Sequence, residues 1–270
     1  MLSGIIVLFL TAFLVIESIP ALRNIGVSRF FTDPSWHPAP HAAEGTFNLV
    51  PMLTGTLACM FVAVSIATPL GILAAVFCHF YAPPWAARSY RRLIELLAGI
   101  PSVVYGFWGL VTLVPLIAKL KPPGPSLLAG SLVLAIMVLP TIALMADAAL
   151  ANVPAKYLQG AAALGLSRWS TLWGVVFPAA KSGLFTGVIL ETGRAIGETM
   201  AMLMVCGNIV QTPTSLFQPM RTLTSNIALE MSYALGDHRS ALFVTGLALM
   251  ALIVALIAVA DLIQSEHVHD

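Results

Sequence analysis

The chain has 270 residues, of which 59% are hydrophobic and 9% are charged, and its mean hydropathy is +0.92. A soluble globular domain carries roughly a quarter charged residues, so this composition excludes one and indicates long apolar segments that face lipid. The net charge of +1 and the lack of a basic tract give no indication of nucleic-acid binding. Cys59, Cys78 and Cys206 lie in apolar segments without paired spacing, as expected of small hydrophobic residues rather than a disulfide or zinc site.

Six apolar segments are long enough to cross a bilayer, because a membrane-spanning helix needs about 20 mostly apolar residues. They are residues 3–22, 52–81, 94–117, 127–150, 182–206 and 241–263. The sequence therefore predicts an all-α, polytopic membrane protein with six transmembrane helices. The first segment has no Lys or Arg before it and no clear cleavage site, which favours a retained helix over a secretory signal.

The basic residues between the spans indicate an orientation. Two groups follow even-numbered spans, namely Arg88, Arg91 and Arg92 after the second span and Lys156, Arg168 and Lys181 after the fourth. Such groups favour the cytoplasmic side. Six other basic residues fall on the opposite side, namely Arg23, Arg29, Lys119, Lys121, Arg221 and Arg239. The tight arginine cluster carries more weight because the rule applies best to short loops, so both termini are predicted to be cytoplasmic.

One membrane domain accounts for the chain. Residues 1–51 are predicted to form the first transmembrane helix and a proline-rich extracytoplasmic loop. Residues 52–263 form a core of five further helices, with a polar loop over 151–181 and a long outer stretch over 208–240. Residues 264–270 are predicted to be a cytoplasmic tail.

Three charged residues, Glu191, Arg194 and Glu198, lie within the predicted fifth span. Each charge near the middle of a membrane costs about 2.5–3.5 kcal/mol on insertion scales, so such residues usually face a bundle interior and pair with one another. Spacings of three and four place them on one helical face, where Arg194 can reach both carboxylates. They are either a structural ion pair or part of a polar translocation path, and an intramembrane charge favours the second interpretation.

The Arg–Glu combination has a chemistry that suits phosphate. A guanidinium fork can bind the oxygens of an anion, and an ionised carboxylate can accept a hydrogen bond from a P–OH group. Sulfate is fully deprotonated at neutral pH and would be repelled by that carboxylate. Arg194 and Glu198 therefore form a candidate phosphate filter.

Glycines and a proline mark two further features of the spans. The fifth span has two pairs of glycines four apart, Gly183 with Gly187 and Gly193 with Gly197, and small residues at this spacing let helices approach closely in lipid. Pro101 lies within the run LAGIPSVVYGFWGL of the third span. Because proline removes a backbone donor, a kink or a discontinuity is predicted there, either beside a pathway or as a packing kink.

The loop over residues 151–181 is predicted to contain short helices that need a partner. Ala161 to Ala163 favour helix, Gly165 is positioned to end it, and Ser167 is positioned to cap a second short helix. A helix this short is not stable alone in water. It would dock into a groove on another protein or lie on the lipid headgroups, with Trp169 and Trp173 as anchors.

The run QGAAALGLSRWSTLWGVVFP resembles the "EAA" loop of ABC importer permeases, although Gln159 replaces the usual acidic first residue. Two further runs resemble phosphate-specific permeases, namely LAGIPSVVYGFWGL and GRAIGETMAMLMVCGN. The end of the second run, MAMLMVCGN, resembles the C-type (PstC) subunit in particular. The resemblance implies a type I ABC importer permease fold and a coupling helix that contacts a cytoplasmic ATPase. The coupling residues it implies are Gln159, Gly160, Ala161, Ala162, Gly165 and Pro178; those of the path are Arg194 and Glu198.

The same resemblance implies the surroundings of the chain. It implies an A-type permease partner in a heterodimer, a dimeric ATP-binding subunit that holds ATP and magnesium, and an extracytoplasmic phosphate-binding protein. It implies a multi-pass location in the bacterial inner membrane. No cofactor is expected in this chain, because the sequence has no G-x-x-x-x-G-K-[ST] phosphate-binding loop.

Three alternatives remain open at the level of sequence. The first is an importer of a related oxyanion, such as molybdate, sulfate or phosphonate, with the same fold and loop. The second is an intramembrane enzyme, but neither H-E-x-x-H nor G-x-S-x-G is present, so the chain is predicted not to be an enzyme. The third is a passive channel, which would not need the 151–181 loop. His37, His41, His267 and His269 are interpreted as solvated loop and tail residues.

Overall fold

The computed structural model describes the backbone of residues 2–266 and the side chains of residues 4–262. His267 and His269 of the predicted tail lie outside the described residues. The α-helices are, in chain order, α1 (Leu2–Asn24), α2 (Arg29–Thr32), α3 (Val50–Val76), α4 (Pro84–Ala98), α5 (Ser102–Trp108), α6 (Val114–Leu120), α7 (Leu127–Ala151), α8 (Ala155–Ala163), α9 (Arg168–Thr171), α10 (Phe177–Ile196), α11 (Met200–Val205), α12 (Leu223–Glu230) and α13 (Gly236–Glu266). π-Helical turns occupy Phe77–Tyr81, Gly109–Leu113 and Leu172–Val176.

Within the described residues, six helical segments are long and apolar enough to cross a membrane. They are Gly4–Asn24, Val50–Tyr81, Ser102–Leu120, Leu127–Ala151, Arg168–Ile196 and Gly236–Leu262. The predicted all-α, six-span architecture is confirmed. The third and fifth spans have different bounds from those predicted, and both differences arise where a helix is interrupted.

The third predicted span, 94–117, combines two separate helices. Helix α4 ends at Ala98, residues 99–101 are not helical, and α5 begins at Ser102. Pro101 explains the break, because proline has no N–H to donate and disfavours helical geometry in the residue before it. The predicted discontinuity at Pro101 is therefore confirmed, and the predicted start of the span at residue 94 is wrong.

The fifth predicted span, 182–206, is wrong at both ends. Helix α9 continues through the π-helical turn Leu172–Val176 into α10, so this helical segment begins at Arg168. Pro178, one of the coupling residues that the resemblance implies, is the second residue of α10, where the hydrogen bonding is already shifted by the π-helical turn. At the other end α10 stops at Ile196, and residues 197–199 separate it from α11.

The chain divides into two compact units that are described separately. Unit 1 comprises Met1–Cys59, Gly106–Ser131 and Ile196–Ala255. Its core includes a small antiparallel ribbon, β1 (Trp36–His37) with β2 (Thr46–Phe47), in which Trp36 lies opposite Phe47.

The loop that carries this ribbon is more ordered than its polar, proline-rich sequence predicts. Phe30, Trp36 and Phe47 are buried, and the ring of Phe47 lies 6.3 Å from that of Phe30 and 6.1 Å from that of Trp36 in edge-on contacts. Such edge-on pairs add to the free energy gained by burying apolar surface. Asp33 reinforces the loop by accepting a hydrogen bond from the backbone N–H of Phe47 at 2.9 Å.

Unit 2 comprises Met60–Tyr105, Leu132–Ala195 and Leu256–Asp270. Its helices α7 and α10 approach closely because small residues lie between them. A Cβ atom placed on Gly187 would lie 2.8 Å from Cβ of Met145, and one on Gly183 would lie 2.9 Å from Cβ of Ala149. Only glycine fits at these contacts, which confirms the packing role predicted for Gly183 and Gly187. The prediction is wrong for the second pair, because a Cβ atom on Gly193 would meet nothing within 4 Å and Gly197 lies beyond the end of α10.

Candidate functional site

The charged pair of the fifth span lies in unit 2. Glu191 is buried, and its Oε2 atom accepts a hydrogen bond from the hydroxyl of Thr141 on α7 at 2.6 Å. Nη1 of Arg194 lies 3.6 Å from the same oxygen, while the Arg194 side chain remains 46% exposed. The predicted contact between Arg194 and Glu191 is therefore confirmed. It leaves a guanidinium that is anchored at one edge and accessible at the other, and such a group can bind an oxyanion.

Glu198 does not continue the face of Arg194, because α10 ends at Ile196 and Glu198 lies in the interruption before α11. The prediction that all three charges share one helical face is wrong for this reason. The Glu198 Oε1 atom accepts a hydrogen bond from the backbone N–H of Ala201 at 3.1 Å. Its carbonyl oxygen accepts one from the hydroxyl of Thr224 at 2.8 Å. Glu198 thus satisfies a free donor at the start of α11 and joins the interruption to α12.

The apolar pattern of the sequence does not reveal this interruption of the fifth span. Gly197 and Thr199 flank Glu198, and a side chain that caps backbone N–H groups stabilises a helix start in place of a continuous helix. The apolar run from Met200 onward has the composition of a continuing span, so only the glycine followed by polar residues signals the break.

The predicted coupling residues lie in and around α8. Three of them, Gln159, Gly160 and Ala162, are exposed on this helix, whereas Ala161 is buried within the protein. The helix ends as predicted, because Gly165 adopts a φ of +69°, a conformation that costs glycine little. The predicted cap on the next helix is also confirmed, since the Ser167 side chain accepts a hydrogen bond from the backbone N–H of Ser170 at 3.2 Å.

A second charged group in unit 2 was missed by the sequence analysis. Nε and Nη2 of Arg91 donate to the two carboxylate oxygens of Asp147 at 2.9 and 3.0 Å, so α4 is joined to α7 by a bidentate pair. Nδ1 of His79 lies 3.4 Å from Oδ1 of the same carboxylate. The hydrogen bond to Asp147 raises the pKa of Arg91 above its usual value. Asp147 falls within the predicted fourth span, and a charge inside an apolar segment could have predicted a buried charged partner.

Asp147→Asn is expected to destabilise unit 2 by about 1–2 kcal/mol, since hydrogen bonds to charged groups contribute about 1.5–3 kcal/mol and asparagine retains part of the contact. The measurement is thermal unfolding of the purified protein in detergent. The exposed Asp261 provides the matched control, Asp261→Asn. Equal unfolding temperatures for the two variants would show that the Arg91 pair contributes nothing.

A third charged cluster lies in unit 1, between the ribbon, α12 and α13. Oε1 of Glu230 accepts from Nη1 of Arg221 at 2.6 Å, and Oε2 accepts from Nε1 of Trp36 at 2.9 Å. Nε2 of His238 also lies 2.9 Å from Oε2. Glu230 and His238 are buried, and the cluster borders a cavity of about 710 Å³. No local sequence pattern indicates this site, because Trp36 and Glu230 are 194 positions apart.

The six membrane-spanning helices define a polytopic membrane protein, and comparison with known proteins gives its family. A family model described as "Binding-protein-dependent transport system inner membrane component" matches residues 67–266. The chain belongs to this family. By that description, it is the inner-membrane component of a transport system that depends on a binding protein.

Individual relatives narrow the resemblance. The "Probable ABC transporter permease protein YqgH" of Bacillus subtilis is 41% identical over 228 residues, covering 83% of this chain and 73% of the relative. The "Phosphate transport system permease protein PstC" of Xylella fastidiosa strain 9a5c is 36% identical, covering 90% of this chain and 80% of the relative. The protein of the same name from Pasteurella multocida is 35% identical, covering 84% and 78%. The resemblance to PstC permeases indicated by the sequence motifs is confirmed.

Solved structures support the fold. An inward-facing form of the MetNI methionine ABC transporter matches with a TM-score of 0.61 and 19% sequence identity, covering 80% of this chain and 92% of that chain. An amino acid ABC transporter with histidines matches with a TM-score of 0.58 and 18% identity, covering 80% and 94%. The predicted ABC importer permease fold is therefore confirmed.

Proposed function

We propose that this chain is the membrane-spanning permease subunit of an ATP-driven, binding-protein-dependent phosphate importer. The observation that carries the proposal is the similarity to phosphate transport permeases of the PstC type, which extends over as much as 90% of the chain. Related importers of molybdate, sulfate or phosphonate are the alternative, because the same fold and loop would serve them.

Arg194 is proposed to contact the phosphate on its path. Its guanidinium is anchored by the buried Glu191 and is nearly half exposed, so a passing anion can bind without the arginine leaving its partner. Glu191 is proposed to position Arg194, since Thr141 and Arg194 already occupy its Oε2 atom. Glu198 is proposed to accept the hydrogen bond from the P–OH group, because its Oε1 atom serves Ala201 and the carboxylate has a second oxygen.

Coupling to ATP hydrolysis is proposed to run through the 151–181 loop. Helix α8 has nine residues and presents Gln159, Gly160 and Ala162 at the surface, and a helix of this length requires a partner to be stable. Leu164, 79% exposed, adds an apolar contact beside it. The partner proposed for this surface is the cytoplasmic ATP-binding subunit dimer, which would hold the ATP and magnesium. Gln159 can donate or accept hydrogen bonds there but cannot form an ion pair.

The remaining parts of the importer follow from the same proposal. The chain pairs with an A-type phosphate permease subunit in a heterodimer, and an extracytoplasmic phosphate-binding protein delivers the substrate. The bacterial inner membrane surrounds the six spans. Both termini lie in the cytoplasm, on the side of Arg88, Arg91, Arg92 and α8.

Ala162→Trp is expected to abolish most phosphate uptake without lowering the amount of protein in the membrane. A large side chain on the exposed face of α8 would prevent the close fit that a docked helix requires. The matched control is Ala258→Trp, at an exposed position on α13, outside the 151–181 loop. Equal uptake by both variants would contradict coupling through α8.

The function is tested in cells from which the gene for this chain is deleted. Uptake of labelled phosphate, sulfate and molybdate is measured under phosphate limitation, with and without the restored gene. Restoration of phosphate uptake alone is the expected result. Restoration of sulfate or molybdate uptake in its place would assign the chain to an importer of that oxyanion.

A further inference from the structure

An apolar groove of about 520 Å³ lies on unit 2. One wall is formed by the last turns of α3 and the π-helical turn that follows, and the other by α9, the next π-helical turn and the first residue of α10. Its lining includes Pro69, Leu73 and Tyr81 on the first wall and Trp169 and Trp173 on the second. Both walls belong to helical segments long and apolar enough to cross a membrane.

The groove has a buried floor that includes Val76 and Leu172, and its walls carry large exposed side chains. Leu73, Trp169 and Trp173 are 63%, 64% and 57% exposed. The second wall is a continuous aromatic row, because the rings of Trp169 and Trp173 lie 5.6 Å apart and those of Trp173 and Phe177 lie 4.9 Å apart. An unfilled groove in a membrane would forfeit the dispersion contacts of this surface, so some apolar group occupies it.

The dimensions of the groove fit an extended chain. Pro69 and Tyr81 are twelve residues apart, which corresponds to about 18 Å along a helix and is close to the thickness of one leaflet of a hydrocarbon core of about 30 Å. The length of the groove therefore matches an acyl chain that extends through one leaflet.

One end of the groove has the features of a membrane interface. Tyr81 and Trp169 lie at this end, and tyrosine and tryptophan are enriched at the level of the lipid headgroups. The neighbouring Arg168 is exposed, and its Nη1 atom donates to the carbonyl oxygen of Phe80 at 3.2 Å. This contact holds the guanidinium beside the open end, and its remaining N–H groups can bind a phosphate.

We propose that the groove binds one acyl chain of a membrane phospholipid whose phosphate is held by Arg168. The acyl chain lies between the end of α3 and the helical segment that begins at Arg168. The lipid completes the packing of two segments that are joined at their ends by the bond from Arg168 to Phe80. This site does not depend on the transported substrate.

The test uses the full chain in vesicles of phosphatidylethanolamine and phosphatidylglycerol that contain a phospholipid with a photoreactive group midway along one acyl chain. Cross-linked peptides are identified by mass spectrometry. Leu73→Trp fills the groove, and Leu70→Trp, on the same helix but outside the lining, is its matched control. Arg168→Gln removes the phosphate contact, and Arg88→Gln at another exposed arginine is its control.

Cross-links are expected to concentrate on the peptides that contain Leu73 and Trp173. Leu73→Trp is expected to reduce them about fivefold and Arg168→Gln about threefold, with no change in either control. Cross-links spread evenly over all spans and unaffected by Leu73→Trp would overturn the proposal. The experiment is repeated in native membranes, where loss of these cross-links would show that a partner protein fills the groove and would also overturn it.

Discussion

Glu230→Ala is expected to lower the free energy of unfolding of unit 1 by about 3–5 kcal/mol, because it leaves the buried partner charge uncompensated. The Glu230 carboxylate is 7% exposed and Arg221 is 17% exposed, so both charges are largely removed from bulk water. The substitution also removes the acceptor of the buried Trp36 indole N–H and the partner of His238. An unpaired buried donor adds its own desolvation cost.

Thermal unfolding of the purified protein in detergent measures this effect. The control is Glu44→Ala, because Glu44 is an exposed glutamate in the loop that carries the ribbon. Glu230→Gln is expected to be intermediate, since an amide retains an acceptor for Arg221 or Trp36 but not the charge. Unfolding temperatures within experimental error of the Glu44→Ala variant would contradict the structural role of the cluster.

Arg194→Gln is expected to slow phosphate uptake about tenfold to a hundredfold, because a hydrogen bond from a charged donor contributes about 1.5–3 kcal/mol. Arg194→Lys is expected to retain part of the activity, since it keeps the charge and loses the planar fork that matches two phosphate oxygens. The control is Arg239→Gln, at an arginine that is 55% exposed and pairs with Glu17 at 3.9 Å.

A structural role for Arg194 would give a different pattern. If Arg194 only anchors Glu191, its replacement would lower the unfolding temperature and the amount of assembled protein together with uptake. If it contacts phosphate, uptake falls while the unfolding temperature stays near that of the Arg239→Gln variant. Normal uptake by Arg194→Gln would contradict the proposed role in the path.

The sequence predicts the spans well wherever an apolar run is continuous. Helix α7 extends over Leu127–Ala151, against a predicted span of 127–150, and this apolar run stays helical even though it contains Pro140. The predicted C-terminal end of the fifth span is wrong because hydropathy contains no information about side chains that hydrogen-bond to the backbone. The apolar pattern places Glu198 inside a continuous helix, whereas its carboxylate accepts a hydrogen bond from the N–H of Ala201 in the first turn of α11.

The charged clusters that could not be predicted from the sequence are formed by contacts between distant segments. Arg91 and Asp147 lie 56 positions apart, and nothing in the sequence around either residue identifies its partner. The spacing of Glu191 and Arg194 did predict their contact, since residues three apart share a helical face. Local pairs can therefore be predicted from spacing, whereas the clusters around Asp147 and Glu230 depend on how the helices pack.

The most direct test of the central claim is uptake of labelled phosphate by vesicles that contain this chain with its partner permease, ATP-binding subunits and binding protein. The account predicts uptake that requires both ATP and this chain and that persists in excess sulfate and molybdate. Uptake that continues without ATP, or that excess sulfate abolishes, would contradict the assignment as the permease of a phosphate importer.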